Sequence, residues 1–136
     1  MGKLDRRSDC PIAFALEIIG DRWTLLVIRD LLLRGKRRFS EMHASPEQIA
    51  TNVLSDRLKR LEDQGILLRS PDPQDGRKVL YSLTRAGREL APALLEIIAW
   101  GAKHGPDSAA PASFLERMKT DRSGLLDELL AGNDDR

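Results

Sequence analysis

Cysteine is nearly absent from this 136-residue chain. Cys10 alone cannot form an internal disulfide, and with only His43 and His104 beside it no zinc cluster of the Cys and His kind can be assembled. No metal or other cofactor is therefore expected. The sequence also lacks a glycine-rich phosphate loop and any nucleophile with a nominated histidine base, so no enzymatic activity is expected. Long apolar runs are missing too: the stretch 25–33 carries Arg29 and Asp30 in its middle, far short of the roughly 18 residues of a membrane span. The N-terminus, Met1-Gly2-Lys3-Leu4-Asp5-Arg6-Arg7, lacks the apolar core and cleavage site of a secretory signal, which predicts a cytoplasmic protein.

Neither sign of charge dominates, because the net charge is +1, but the charges are unevenly spread. Residues 1–91 carry 17 Lys and Arg against 13 Asp and Glu, whereas residues 92–136 carry 5 against 8. An anionic partner is thus expected on the first two-thirds of the chain. What is plentiful is apolar residue, at 41% enough for one packed core.

Punctuation and periodicity divide the chain into elements. Cys10-Pro11 opens a first helix that Gly20 stops, with Ile12, Leu16 and Ile19 at helical spacing. Asp21 is a plausible N-cap for a second helix ending at Gly35. Lys36-Arg37-Arg38-Phe39 reads as a short extended piece, and Ser40 is placed to cap a short helix that ends before Pro46. Thr51 opens the clearest helix, residues 51–64, with Gly65 as its terminator. Its Leu54, Leu58 and Leu61 form one stripe, and Asn52, Asp56, Lys59 and Asp63 lie opposite, flanked by Ser55 and Arg60. Residues 66–69 and 78–83 are β-prone and bracket a loop whose Asp75-Gly76 pair favours a tight reversal, which predicts a β-hairpin. Thr84 is expected to cap one long helix to about His104. Residues 105–113 read as a linker before a last amphipathic helix that Gly124 could split.

This order of elements predicts a mainly α, α+β fold: a winged helix-turn-helix with flanking N- and C-terminal dimerisation helices. The expected division is residues 1–104, the DNA-binding domain with its dimerisation helices, and residues 105–136, a linker and C-terminal extension. A helix fits the major groove of double-stranded DNA, where exposed Asn and Ser side chains can bond base edges. The candidate readers are Asn52, Ser55, Asp56 and Lys59, with Thr51 and Arg57 at flanking phosphates. Asp56 would have to meet a cytosine amine or be neutralised by a neighbour. Arg37 and Arg38 before the motif, and Arg77 and Lys78 on the wing, are candidate phosphate or minor-groove contacts. Phe14, Trp23 and Trp100 fall on apolar helical faces, as core or interface aromatics. A rival reading is a winged-helix module for protein association without DNA binding.

The blocks GDRWTLLVIRDLL (20–32), RRFSEM (37–42), LSDRLKRLEDQGILLR (54–69) and YSLTRAG (81–87) resemble the HxlR-type transcriptional regulators, winged-helix relatives of the MarR family. The resemblance spans about residues 8–103. It implies a homodimer built through the first and last helices, a pseudo-palindromic operator, and control by a small-molecule or electrophile effector. The wing PDPQDGRK is closer to the MarR pattern, and residues 106–136 have no counterpart. Some family members sense oxidants through a cysteine placed like Cys10. A helix N-terminus with Arg6 and Arg7 nearby favours a thiolate there, whereas Asp5 and Asp9 oppose it. With no second cysteine, a switch would have to be a Cys10 pair across a dimer, a mixed disulfide or direct alkylation.

Overall fold

The computed structural model describes residues 8–106 and 110–132. The element order is α1 (Pro11–Ile19), α2 (Thr24–Leu33), α3 (Phe39–His43), α4 (Thr51–Asp63), β1 (Leu67–Asp72), β2 (Asp75–Leu83), α5 (Arg85–Arg88), α6 (Ala91–His104), α7 (Ala112–Thr120) and α8 (Arg122–Ala131). Helices dominate, with one two-stranded antiparallel sheet as the wing. The fold is a winged helix-turn-helix, as the order of elements predicts. Contacts divide the chain into two compact units, with the break after Gly87.

In the first unit the core is aliphatic: Val27, Ile28, Met42, Ile49, Leu54, Leu58, Leu61, Ile66, Leu67, Leu80 and Leu83 are all buried. The leucine stripe of α4 provides three of these, each contributing about 1.5–3 kcal/mol by removal from water. Gly65 ends α4 at φ +74°, a left-handed conformation that costs glycine nothing. Its neighbour Ile66 turns the chain into β1, and the Thr84 hydroxyl closes this corner by donating to the Gly65 and Ile66 carbonyls at 2.7 and 3.1 Å. The register pairs Leu67 with Leu83 and Arg69 with Tyr81.

Several local expectations are revised, each for a physical reason. The chain reverses at Pro73-Gln74, ahead of the Asp-Gly pair, because the Asp72 carboxylate accepts the Gln74 N–H at 2.9 Å and builds the turn there. Ser40 lies inside α3 rather than capping it. Glu41 takes that role, its Oε1 accepting the backbone N–H groups of Arg37 and Arg38 at 3.1 and 2.9 Å. The single long helix after Thr84 is instead α5 and α6, interrupted at Glu89-Leu90. Pro92 explains the break, since it has no N–H to give and its ring collides with the carbonyl four residues back.

The second unit is three helices. Leu95, Met118 and Leu125 form its buried centre, with Ile98, Phe114, Leu115, Leu126 and Leu129 packed around them. The last helix does divide, but at Asp121, not at Gly124. The Asp121 carboxylate caps α8 by accepting the Gly124 N–H at 3.2 Å. A Cβ on Gly124 would lie 2.6 Å from both carboxylate oxygens, so the glycine is needed for the cap.

Candidate nucleic-acid interface

A polar surface on α4 follows from its periodicity. With the leucines turned inward, Thr51, Asn52, Ser55, Asp56 and Lys59 are all exposed, and the last four share one face. The N-cap is Ala50, which offers no side chain to the first amides of the helix. Lys59 projects with its side chain 77% exposed, its Nζ 3.9 Å from Asp63 Oδ1. Such a pair on the surface binds weakly and leaves the ammonium available.

The turn that delivers α4 is pinned from α2. Asp30 is buried, and its Oδ2 accepts the Ser45 hydroxyl at 2.5 Å, while Oδ1 accepts Arg29 Nε and Nη2 at 3.1 and 2.9 Å. Lys36 Nζ donates to Ser45 Oγ at 2.7 Å. Arg29 then reaches Glu47 with two parallel bonds of 2.8 and 2.9 Å. That fork overcomes the cost of partial burial and holds the Glu47 carboxyl down at about 2. The turn also contains Gln48 at φ +60°, a strained position for a side chain that the surrounding bonds retain.

Two of the basic residues predicted to touch DNA are engaged by the protein's own carboxylates. Arg57 Nε donates to Asp21 Oδ2 at 2.8 Å and its Nη1 to Asp56 Oδ2 at 2.5 Å, with the side chain only 20% exposed. Arg38 Nε and Nη2 lie 2.9 and 2.8 Å from Oδ2 of the buried Asp72. The Gln74 N–H and the Arg38 guanidinium together hold the Asp72 carboxyl below the usual carboxylate range. Arg38 thus ties the segment before α3 to the wing, where the Tyr81 N–H also donates to the Arg37 carbonyl at 2.8 Å. The Arg37 and Lys78 side chains make no ion pair among the described residues. Arg77 extends from the wing with its side chain 92% exposed and pairs loosely with Asp75 at 3.2 Å.

The structure therefore gathers Thr51, Asn52, Ser55, Asp56 and Lys59 on one helix, with Arg77 and Lys78 exposed on the wing. Asp56 is neutralised by neighbours: Arg57, and Arg60 Nη1 at 3.8 Å. Arg60, with its side chain 53% exposed, is a cation at the edge of this surface that periodicity alone assigned to a flank. Cys10 is exposed at the start of α1, its N–H donating to Ser8 Oγ at 3.3 Å. Among the described residues no group of acidic, His or Cys side chains could hold a metal, and no helix is long and apolar enough to cross a membrane.

Residues 18–109 match the HxlR-like helix-turn-helix family. The chain is 40% identical over 98 residues, 71% of its own length and 90% of the relative's, to the uncharacterized helix-turn-helix-type transcriptional regulator YvaP of Bacillus subtilis. It also superposes on the redox regulator HypR in its reduced form, with a TM-score of 0.64 and 34% identity over 71% of this chain and 95% of that one. The reduced form of the transcriptional regulator YodB from B. subtilis matches with a TM-score of 0.58 and 33% identity, over 73% and 97% of the two chains. α7 and α8 lie beyond the matched region. The polar α4, the pinned turn and the basic wing thus sit in a chain that belongs to the HxlR-like helix-turn-helix family of transcriptional regulators.

Proposed function

We propose that this chain is a sequence-specific DNA-binding regulator that acts in the cytoplasm as a homodimer, and that it works by binding rather than by catalysis. The observation that carries the reading is the exposed face of α4, where Asn52, Ser55 and Lys59 are unobstructed above a buried leucine stripe. Asn52 suits adenine, and Lys59 suits guanine or a phosphate. Arg77 and Lys78 on the wing supply cations for the adjacent backbone. Dimerisation is supported by apolar residues left uncovered on helices of both units: Ile12 and Leu16 on α1 are 69% and 56% exposed, and Ile97 and Trp100 on α6 are 49% and 68% exposed. Patches of this kind on a water-facing surface mark association sites. Two-fold symmetry would then place two α4 helices roughly 34–36 Å apart on a pseudo-palindromic operator.

The test is binding of the purified chain to its own upstream intergenic DNA across a salt series, with unrelated DNA as competitor. Specific binding with a steep salt slope is the expected result. Arg77→Ala should flatten that slope by about 1 and weaken all sequences alike, whereas Asn52→Ala should change base preference at one position. Absence of salt-dependent binding would favour a protein-association role.

A redox input is the second element of the reading, supported by the exposed thiol of Cys10 and the likeness to HypR and YodB. Two Cys10 thiols from the two protomers would join as a disulfide, passing two electrons and two protons to an oxidant such as diamide. Diamide is expected to alter DNA affinity in the wild type and not in Cys10→Ser; an equal response in both would remove Cys10 from the mechanism.

A further inference from the structure

One carboxylate sits at the seam between α2 and α4 and serves both. Asp21 Oδ1 accepts the backbone N–H groups of Trp23 and Thr24, each at 2.8 Å, and Oδ2 accepts the Thr24 hydroxyl at 2.8 Å. These bonds cap the N-terminus of α2. The same Oδ2 receives Arg57 Nε from α4 at 2.8 Å. Burial works against ionisation of Asp21, but the bonds from Thr24 and Trp23 and the Arg57 charge outweigh it and hold the carboxyl below its ordinary range.

Close packing of Leu54, Leu58 and Leu61 holds the inner face of α4, but the rim of this seam is less tightly filled. A cavity of about 120 Å³ opens between α1, α2 and α4, lined by Ile18, Thr24, Arg57, Leu61 and Gln64 among others, and Gln64 Oε1 is buried beside it without a hydrogen-bond partner. At this rim the bridge from Asp21 to Arg57 adds a directional contact to the leucine packing.

We propose that Asp21 is a positioning residue for DNA recognition, acting through Arg57 to fix the roll of α4 and thereby the aim of Asn52, Ser55 and Lys59. The inference rests on the DNA-binding reading above. It assigns Arg57 to the interior rather than to a phosphate. The Arg57 guanidinium lies between the carboxylates of Asp21 and Asp56, which would repel an approaching phosphate, while the outward cation of the cluster is Arg60, 3.9 and 3.8 Å from the same two carboxylates.

Asp21→Asn and Arg57→Gln on the full chain test this. Asparagine still caps α2, so folding is retained, while the charge that grips Arg57 is lost. Both variants are expected to lower the ratio of specific to non-specific DNA binding by about tenfold and to blur base preference at the positions read by α4. The salt slope should stay unchanged, and the double variant should be no worse than Arg57→Gln alone. If Arg57 instead binds a phosphate, Arg57→Gln will cut the slope by about 1, and Asp21→Asn will strengthen binding by releasing the guanidinium. Either result overturns the proposal. Amide hydrogen exchange without DNA separates this outcome from failure of the DNA reading itself. Asp21→Asn is expected to accelerate exchange along α4 and leave the wing amides unchanged; unchanged α4 exchange overturns the clamp even if the wild type binds no DNA.

Discussion

The two units of this chain are held together in different ways. In the winged unit, carboxylates shape the ends of elements, and two of them also hold an arginine. Asp21 caps α2 and grips Arg57, Glu41 caps α3, and Asp72 builds the wing turn while holding Arg38. In the helical unit the ion pairs lie on the surface: Arg117 with Asp121 and Glu128, and Arg122 with Glu96, all with side chains at least 35% exposed. That unit instead depends on the cluster around Leu95, Met118 and Leu125. Apolar burial is tolerant of small displacements, whereas a hydrogen bond to a carboxylate is directional. The helical unit has one such carboxylate too, Asp121, which caps α8 and pairs with Arg117, but it is exposed; the buried carboxylates Asp30 and Asp72 are in the unit that presents α4.

The largest break in this contrast should come from Asp30. Asp30→Ala leaves Arg29 and Ser45 without their shared acceptor and removes the buried charge beside Lys36, which is expected to cost about 3–5 kcal/mol. Chemical denaturation followed by Trp23 in a Trp100→Phe background would measure it. A change under about 1 kcal/mol, the range of an exposed ion pair, would mean that the network is dispensable. In the helical unit the corresponding weak point is apolar: Leu95→Ala should cost about 2–4 kcal/mol through the cavity it leaves, read by Trp100 in a Trp23→Phe background. Arg117→Ala should by comparison leave that transition where it is.

Acid gives the smallest and most graded test. Glu47 is held at about 2, and Asp21, Glu41 and Asp72 are also held below their ordinary ranges. A carboxylate whose folded value is depressed stabilises the fold above its unfolded value and loses that contribution as pH falls towards the folded one. Stability of the winged unit should therefore decline from about pH 4.5 to about pH 2. Glu47→Gln should flatten the decline, and an unaltered acid profile in that variant would show that the Arg29 fork does not contribute.

Much of this architecture was legible in the sequence, and what was not has two causes, distant partners and competing local signals. The α4 stripe of Leu54, Leu58 and Leu61 and the hairpin were readable because each depends on a local period. The site residues on α4 followed from the same period. The fates of Arg38 and Arg57 were not readable, because their partners Asp72 and Asp21 are 34 and 36 positions away in the chain. The Asp21 cap was visible locally; its second task was not. The wing reverses at Pro73-Gln74 through the local bond from Gln74 N–H to Asp72, a signal that competed with the Asp75-Gly76 pair two residues on. Pro92 was a local signal for the break after α5, set against the apolar residues Leu90, Leu94, Leu95, Ile97 and Ile98, whose helical spacing runs across it.

Base-edge reading by α4 is the proposal on which the rest depends. Selection of bound duplexes from a randomised pool by the full chain tests it most directly. Enrichment of inverted repeats whose half-sites are centred about 10 base pairs apart, or a multiple of that, is expected, with Asn52→Ala altering one symmetric position in each half. A pool that stays random, or one enriched identically by wild type and Asn52→Ala, would contradict it.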